Sequence, residues 1–168
     1  MPEATNDPTT QAIGAVLGRV PSGVFILTAS DGQGKETGML ASWVQQAGFE
    51  PPCVTVAVNQ ERYLHDWLQQ QPHVVLNLVG EGQFEWLKHF GKGFEPDEAA
   101  FEDLDIERTS QGTAILSGAL GYLSGKISGQ VATGDHTIYV VQIETAQLNA
   151  ELSEVKPMVH IRKDGFRY

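Results

Sequence analysis

The sequence predicts a mainly β protein, a closed or nearly closed antiparallel barrel with a few helices set between its strands. Three observations carry this. Glycine is abundant at 18 residues while only 19% of residues are charged, a balance that suits a turn-rich β domain better than a helical bundle. At least six apolar runs of strand length are separated by turn residues. At 168 residues and 41% hydrophobic content, the chain can fill one substantial core, and neither a repeat nor a linker divides it. Residues 1–9, polar with two prolines, are expected to be a disordered tail, and residues 10–168 a single domain.

The elements follow in order. Ile13, Val16, Leu17 and Val20 recur at helical spacing, so a short helix over 10–20 should end before Pro21. Residues 24–28 are a continuous apolar run of strand length. Asp31 and Gly32 carry the strongest short hairpin signal, and a strand over 37–44 should follow. The rest of the stretch to Phe49 reads as a bend lined by small and polar residues, stopped by Pro51 and Pro52. Cys53 to Val58 is apolar and β-branched, a third strand. Asn59 reads as the N-cap of a helix running to about Gln71, with Leu64, Trp67 and Leu68 as its apolar face. Residues 73–79 give a fourth strand, residues 84–90 a short amphipathic helix, and residues 96–104 an acidic helical segment buried along Ala99, Ala100 and Phe101. Strands at 114–116, 119–131, 137–146 and 158–162 complete the pattern, with Gly134, Asp135 and His136 closing a hairpin.

Charge and cysteine content exclude several classes. A net charge of −10 and a pI near 4.8 repel the phosphates of nucleic acid and anionic lipid, so neither nucleic acid nor membrane is expected as a partner. The single Cys53 leaves no internal disulfide and no cysteine zinc site, and fits a reducing compartment. With no signal-peptide pattern and no apolar run of bilayer length, a soluble cytoplasmic protein is expected.

A small-residue bend between two strands lets a flat, anionic ligand approach the backbone closely. Asn59 to Arg62 follows at once. A helix start there would offer unpaired N–H groups, and Arg62 a planar fork for a phosphate; the plain alternative is a helix start holding only water. Ser42 is a potential donor in the bend. Trp43 either stacks on a ligand or packs in the core, the commoner fate of large aromatics. His136 is either a turn residue or a rim residue beside a ligand. Cys53 reads as a packed thiol, and no pair of histidines shares a helical face, so no metal site is expected. The glycines at 32, 34 and 38 miss the dinucleotide fingerprint on spacing, and Gly121 to Lys126 misses the P-loop. The acidic run from Glu95 to Glu107 suits a solvated face rather than a calcium loop.

Several pieces in order resemble the flavin reductase-like, FMN-binding split-barrel family: residues 19–24, Gly38 to Trp43, Pro51-Pro52 before a β-branched strand, Asn77, Phe90-Gly91 and Gly134 to His136. The run from Ser42 to Pro52 is similar to the flavin reductase domain of cyanobacterial flavodiiron proteins. The resemblance implies a six-stranded antiparallel Greek-key split barrel, usually a homodimer, that binds FMN or FAD at the barrel rim and uses NADH or NADPH as electron donor. It implies that Leu40, Ala41, Ser42 and Trp43, with Met39 beside them, lie along the isoalloxazine. Ala57, Val58, Asn59 and Arg62 would hold the ribityl phosphate, Phe90 and Gly91 would lie near the cofactor, and His136 on the nicotinamide side. The implied activity is NAD(P)H:flavin oxidoreduction, with reduced flavin passing electrons to an acceptor. The alternative is a flavin-binding electron carrier or sensor without reductase turnover; a tetrapyrrole-binding split barrel is the third and weaker class.

Overall fold

A computed structural model describes residues 7–166. In chain order it comprises α1 (Pro8–Leu17), β1 (Ser22–Gly23), β2 (Phe25–Ser30), β3 (Glu36–Ala41), β4 (Val44–Phe49), β5 (Pro52–Asn59), α2 (Leu64–Gln70), β6 (His73–Leu78), α3 (Phe84–Gly91), β7 (Ile106–Arg108), β8 (Ala114–Leu116), β9 (Gly121–Ala132), β10 (His136–Leu148) and β11 (Val159–His160). Seven strands form one sheet in the order β3-β2-β6-β9-β10-β5-β4, every neighbouring pair antiparallel. Two short pairs, β1–β11 and β7–β8, lie outside it.

The first and last strands of that order are joined by only Ser42 and Trp43. Three residue steps of about 3.6 Å span at most about 11 Å, so the two edges of the sheet must meet. The sheet therefore rolls into a barrel, and a backbone bond from Ala57 N–H to Trp43 O (3.1 Å) pins the joint to β5. The barrel stays split alongside β3, which has only β2 as a strand neighbour.

Two apolar clusters fill the molecule. Leu27, Ala29, Met39, Val56, Val58, Leu76, Tyr139 and Val141 pack inside the barrel, with Leu64, Trp67 and Leu68 of α2 among them. Ile26, Val79, Phe90, Phe101, Leu116 and Met158 form a second cluster outside it. Alternate residues of β2 enter different clusters, so both faces are buried and the sequence reads as one unbroken apolar run. Asn77 is fully buried; its Nδ2 donates to Ile26 O (3.0 Å) and its Oδ1 accepts from Leu116 N–H (2.9 Å), clipping β8 to the barrel.

Several expectations need correction. Helix α1 starts at Pro8, capped by Asp7, so residues 8 and 9 are helical; residues 1–6 of the expected tail lie outside the described residues. The strand expected over 37–44 ends at Ala41, and the supposed bend to Phe49 is mostly β4. β4 reads as a loop because its Gln45, Gln46 and Ala47 are exposed on an edge strand, where the backbone ladder to β5 needs no apolar face. Asn59 caps no helix: it is still paired opposite His136, its Oδ1 accepts from Glu61 N–H (2.9 Å), and α2 begins only at Leu64. Asn favours such a side-chain-closed turn as readily as a cap. Residues 96–104 form turns rather than a helix; Ala100 and Phe101 are buried as expected, Ala99 is exposed, and Lys35 pairs with Asp97. The mainly β antiparallel split barrel is as expected; its main sheet has seven strands where six were expected, β4 being the addition, and β7 was not foreseen. No helix among the described residues is long and apolar enough to cross a membrane.

Candidate functional site

At the split of the barrel lies a cleft of about 550 Å³, lined by Met39, Leu40 and Ala41 of β3, the Ser42–Trp43 joint, Ala57 and Asn59 of β5, Glu61, Arg62, Phe90, Gly91 and Lys92. Roll-up of the sheet puts the end of β3 beside the end of β5, and α3 closes the third side because Phe90 is anchored in the outer cluster. Gly38, one step before the lining residues, allows this anchoring: a Cβ built there would sit 2.5 Å from Phe90 Cε1.

Ten of the eleven residues expected around a cofactor thus line one cavity. The exception is Val58, whose side chain alternates inward and is buried in the barrel core. Trp43 is half-buried and forms one end of the cleft rather than part of either core cluster. His136 is not at an open rim. It is 6% exposed and lies behind Trp43, ring centroids 4.9 Å apart, with Nδ1 2.8 Å from Asp135 Oδ1. That hydrogen bond is the main reason the Asp135 carboxyl lies below the usual carboxylate range. His136 thus does not line the cleft itself, and Trp43 stands between its ring and the cavity.

The cleft carries charge away from Trp43, where Arg62 borders Gly38 and Met39 at the start of the lining stretch of β3 and approaches Gly93 beside Lys92. Arg62 and Lys92 face it with Glu61, leaving a net positive end on a chain of net charge −10. Among the described residues neither cation has a carboxylate within salt-bridge distance; Lys92 Nζ lies 5.3 Å from the Phe94 ring centroid. Lys92 was missed from sequence, although it directly follows Phe90-Gly91. The backbone amides expected to hold an anion are already used. Gln60 N–H donates to Asp135 O (2.9 Å), Glu61 N–H to Asn59 Oδ1 (2.9 Å) and Arg62 N–H to Asn59 O (3.1 Å). Asn59 O also accepts from His65 Nε2 (2.8 Å). That fixes His65 Nδ1 as the acceptor of the Tyr139 hydroxyl, so a partly buried relay supports this loop.

The apolar stretch Met39–Ala41 with Trp43, and the side-chain cations Arg62 and Lys92, suit an aromatic ring system bearing a phosphate, and the volume lies within the roughly 300–1,000 Å³ usual for small-molecule sites. The residues present therefore fit a flavin.

Fold and cleft together define a ligand-binding split barrel. The family model for the flavin reductase like domain matches residues 17–167, and the chain belongs to that family. It is similar to Diflavin flavoprotein A 1 of Synechocystis sp., with 37% identity over 153 residues, 90% of this chain and 26% of that protein. It is also similar to Putative diflavin flavoprotein A 3 of Synechocystis sp., with 36% identity over 169 residues, 100% of this chain and 27% of that protein. The chain thus spans about a quarter of the length of these curated relatives. Among solved structures, the NADH:FAD oxidoreductase SgcE6 of Streptomyces globisporus C-1027 shares the fold with a TM-score of 0.81 at 24% identity, over 94% of this chain and 92% of that one. SgcE6 has also been solved in complex with NAD and FAD fragments.

Proposed function

We propose that the chain is an NAD(P)H:flavin oxidoreductase domain that binds FMN, or FAD, in the cleft between β3, β5 and α3. The observation that carries the reading is the convergence of Met39–Trp43, Ala57, Asn59, Arg62, Phe90 and Gly91 on one cleft, residues drawn from three separate segments of the sequence. When bound, the flavin supplies the redox chemistry, taking electrons from reduced nicotinamide and passing them to an acceptor. The protein's part is to bind and orient. The 40–43 backbone, Leu40 and Phe90 would bind the ring system and exclude water from it, Arg62 and Lys92 would hold the phosphate, and Trp43 would close the cleft. His136 acts in this reading through Trp43. The oxidoreductases among the fold's solved neighbours support the same assignment by analogy. A homodimer is part of the proposal, and the molar mass in solution measures it.

The experiment is direct. The protein is purified, its visible spectrum recorded, and NADH and then NADPH added under nitrogen. A yellow chromophore that bleaches is the expected result. Colour that persists after both nucleotides overturns reductase turnover and leaves the flavin-binding carrier or sensor, a reading favoured by the withdrawal of His136 behind Trp43. Protein that takes up neither FMN nor FAD overturns both.

A further inference from the structure

Trp43 touches more than the cleft. The Arg162 guanidinium carbon lies 5.0 Å from the centroid of its ring system, within the roughly 6 Å of an effective cation–π contact. Arg162 comes from the C-terminal segment, and that segment is firmly seated. Arg162 N–H donates to Gly18 O (2.9 Å) and Gly165 N–H to Gly14 O (2.8 Å), so the segment lies along α1. The Arg162 Nη1 donates to Gly165 O (3.1 Å), which fixes the plane of the guanidinium. Gly18 makes the approach possible, since a Cβ there would stand 2.9 Å from Arg162 O. Among the described residues, the indole that ends the cleft is therefore touched by two elements remote from it in sequence: the β9–β10 hairpin through His136, and the α1–C-terminal unit through Arg162.

We propose that Arg162 is a positioning residue for the flavin site, setting the orientation of the Trp43 indole and through it the ring end of the cleft. The inference rests on the flavin reading. Arg162 does not line the cleft, so its influence on a ligand there passes through Trp43. A neutral side chain of similar length removes the attraction to the ring and with it one of the contacts that orient the indole, whereas lysine keeps the cation and part of the hold.

The test uses the full chain and two readouts. In flavin-free protein, the indole N–H signals of the three tryptophans are resolved by NMR, and that of Trp43 is assigned by its loss in Trp43→Phe. Arg162→Gln is expected to shift or broaden the Trp43 signal while those of Trp67 and Trp86 stay put, and Arg162→Lys to leave it near its wild-type position. In a fluorescence titration with FMN, Arg162→Gln should weaken binding about three- to ten-fold, the range of a partly exposed cation–π contact. The same change in a Trp43→Leu background should have no further effect. An unmoved Trp43 signal overturns the proposal, and so does an Arg162→Gln loss of full size in the Trp43→Leu background. Wild-type protein that binds no FMN, with a Trp43 signal that still responds to Arg162→Gln and not to Arg162→Lys, overturns the flavin reading and supports the positioning role.

Discussion

The two ends of the cleft are built by different means. The ring end is made of strand backbone and of side chains wedged between fixed neighbours: β3 is laddered to β2, Trp43 O is bonded to Ala57 N–H, and Phe90 is 1% exposed beneath Gly38. The charged end is made of Arg62 and Lys92, long exposed side chains on loops whose backbone amides are already paired. The first end offers a fixed shape. The second offers charge on side chains that keep their rotamer freedom.

One substitution, made once at each end, should separate them most sharply. A Cβ at Gly38 meets Phe90 at 2.5 and 2.8 Å and Phe101 at 3.2 Å; both rings are buried and cannot give way. Gly38→Ala is expected to cost about 1–3 kcal/mol of stability, the usual range for overpacking, read as a lowered denaturation midpoint. At Gly93 the φ is +76° and a Cβ would stand 2.6 Å from Arg62 Nη1. That atom ends a flexible exposed side chain, so Gly93→Ala should cost only about 1 kcal/mol for the backbone and instead push Arg62 aside. Its signature is weaker FMN binding at nearly normal stability. A large stability loss at Gly93 with none at Gly38 would reverse the comparison.

Of comparable size is the effect of Arg62 itself. A charge-assisted contact to phosphate contributes about 1.5–3 kcal/mol, so Arg62→Ala should weaken FMN about ten- to hundred-fold and riboflavin hardly at all in parallel titrations. Equal losses for both ligands would remove Arg62 from the phosphate end.

The difference between the two ends also explains what the sequence disclosed. The strand end was legible because its physics is local and periodic. β2 is buried on both faces and reads as a solid apolar run, the Asp31-Gly32 turn sets the β2–β3 register, and Gly38 to Ala41 is compact and small. The charged end was misread because Asn chemistry is ambiguous. The side chain that would cap a helix at 59 closes a turn onto Glu61 N–H instead, so the amides expected to be free are not. β4 was missed because an exposed edge strand needs no apolar pattern. Lys92 and Arg162 carried no local signal at all; their places depend on chain segments far apart in sequence.

A smaller effect tests the charge at the second end directly. Lys92 is exposed, so its attraction to a phosphate is screened by solvent and contributes about 0.5–1 kcal/mol. Lys92→Ala should raise the FMN dissociation constant about two- to five-fold. Raising the salt from 0.05 to 0.5 M should shrink that difference, as the Debye length falls from about 14 Å to about 4 Å, and leave riboflavin binding unchanged. A salt-independent Lys92 effect would show that the side chain acts by packing on Phe94 rather than by charge.

The smallest effect concerns what lies beneath the charged end. Tyr139 is 2% exposed, and burial, with the nearby Asp66 carboxylate adding to it, pushes its phenol above the ordinary tyrosine value. The fold therefore favours the neutral hydroxyl that donates to His65 Nδ1, while His65 in turn holds Asn59 O. A folded pKa raised above the unfolded one gives stability that is complete below the unfolded value of about 10 and is lost as pH rises through the folded value. The protein should thus lose stability on the alkaline side of pH 10. Tyr139→Phe should flatten that slope at the cost of about 1 kcal/mol at neutral pH for the lost hydrogen bond. Because the relay ends at Asn59, the alkaline change should weaken FMN more than riboflavin. Equal weakening of the two ligands between pH 9 and 11 would show that the relay supports the whole barrel rather than the charged end.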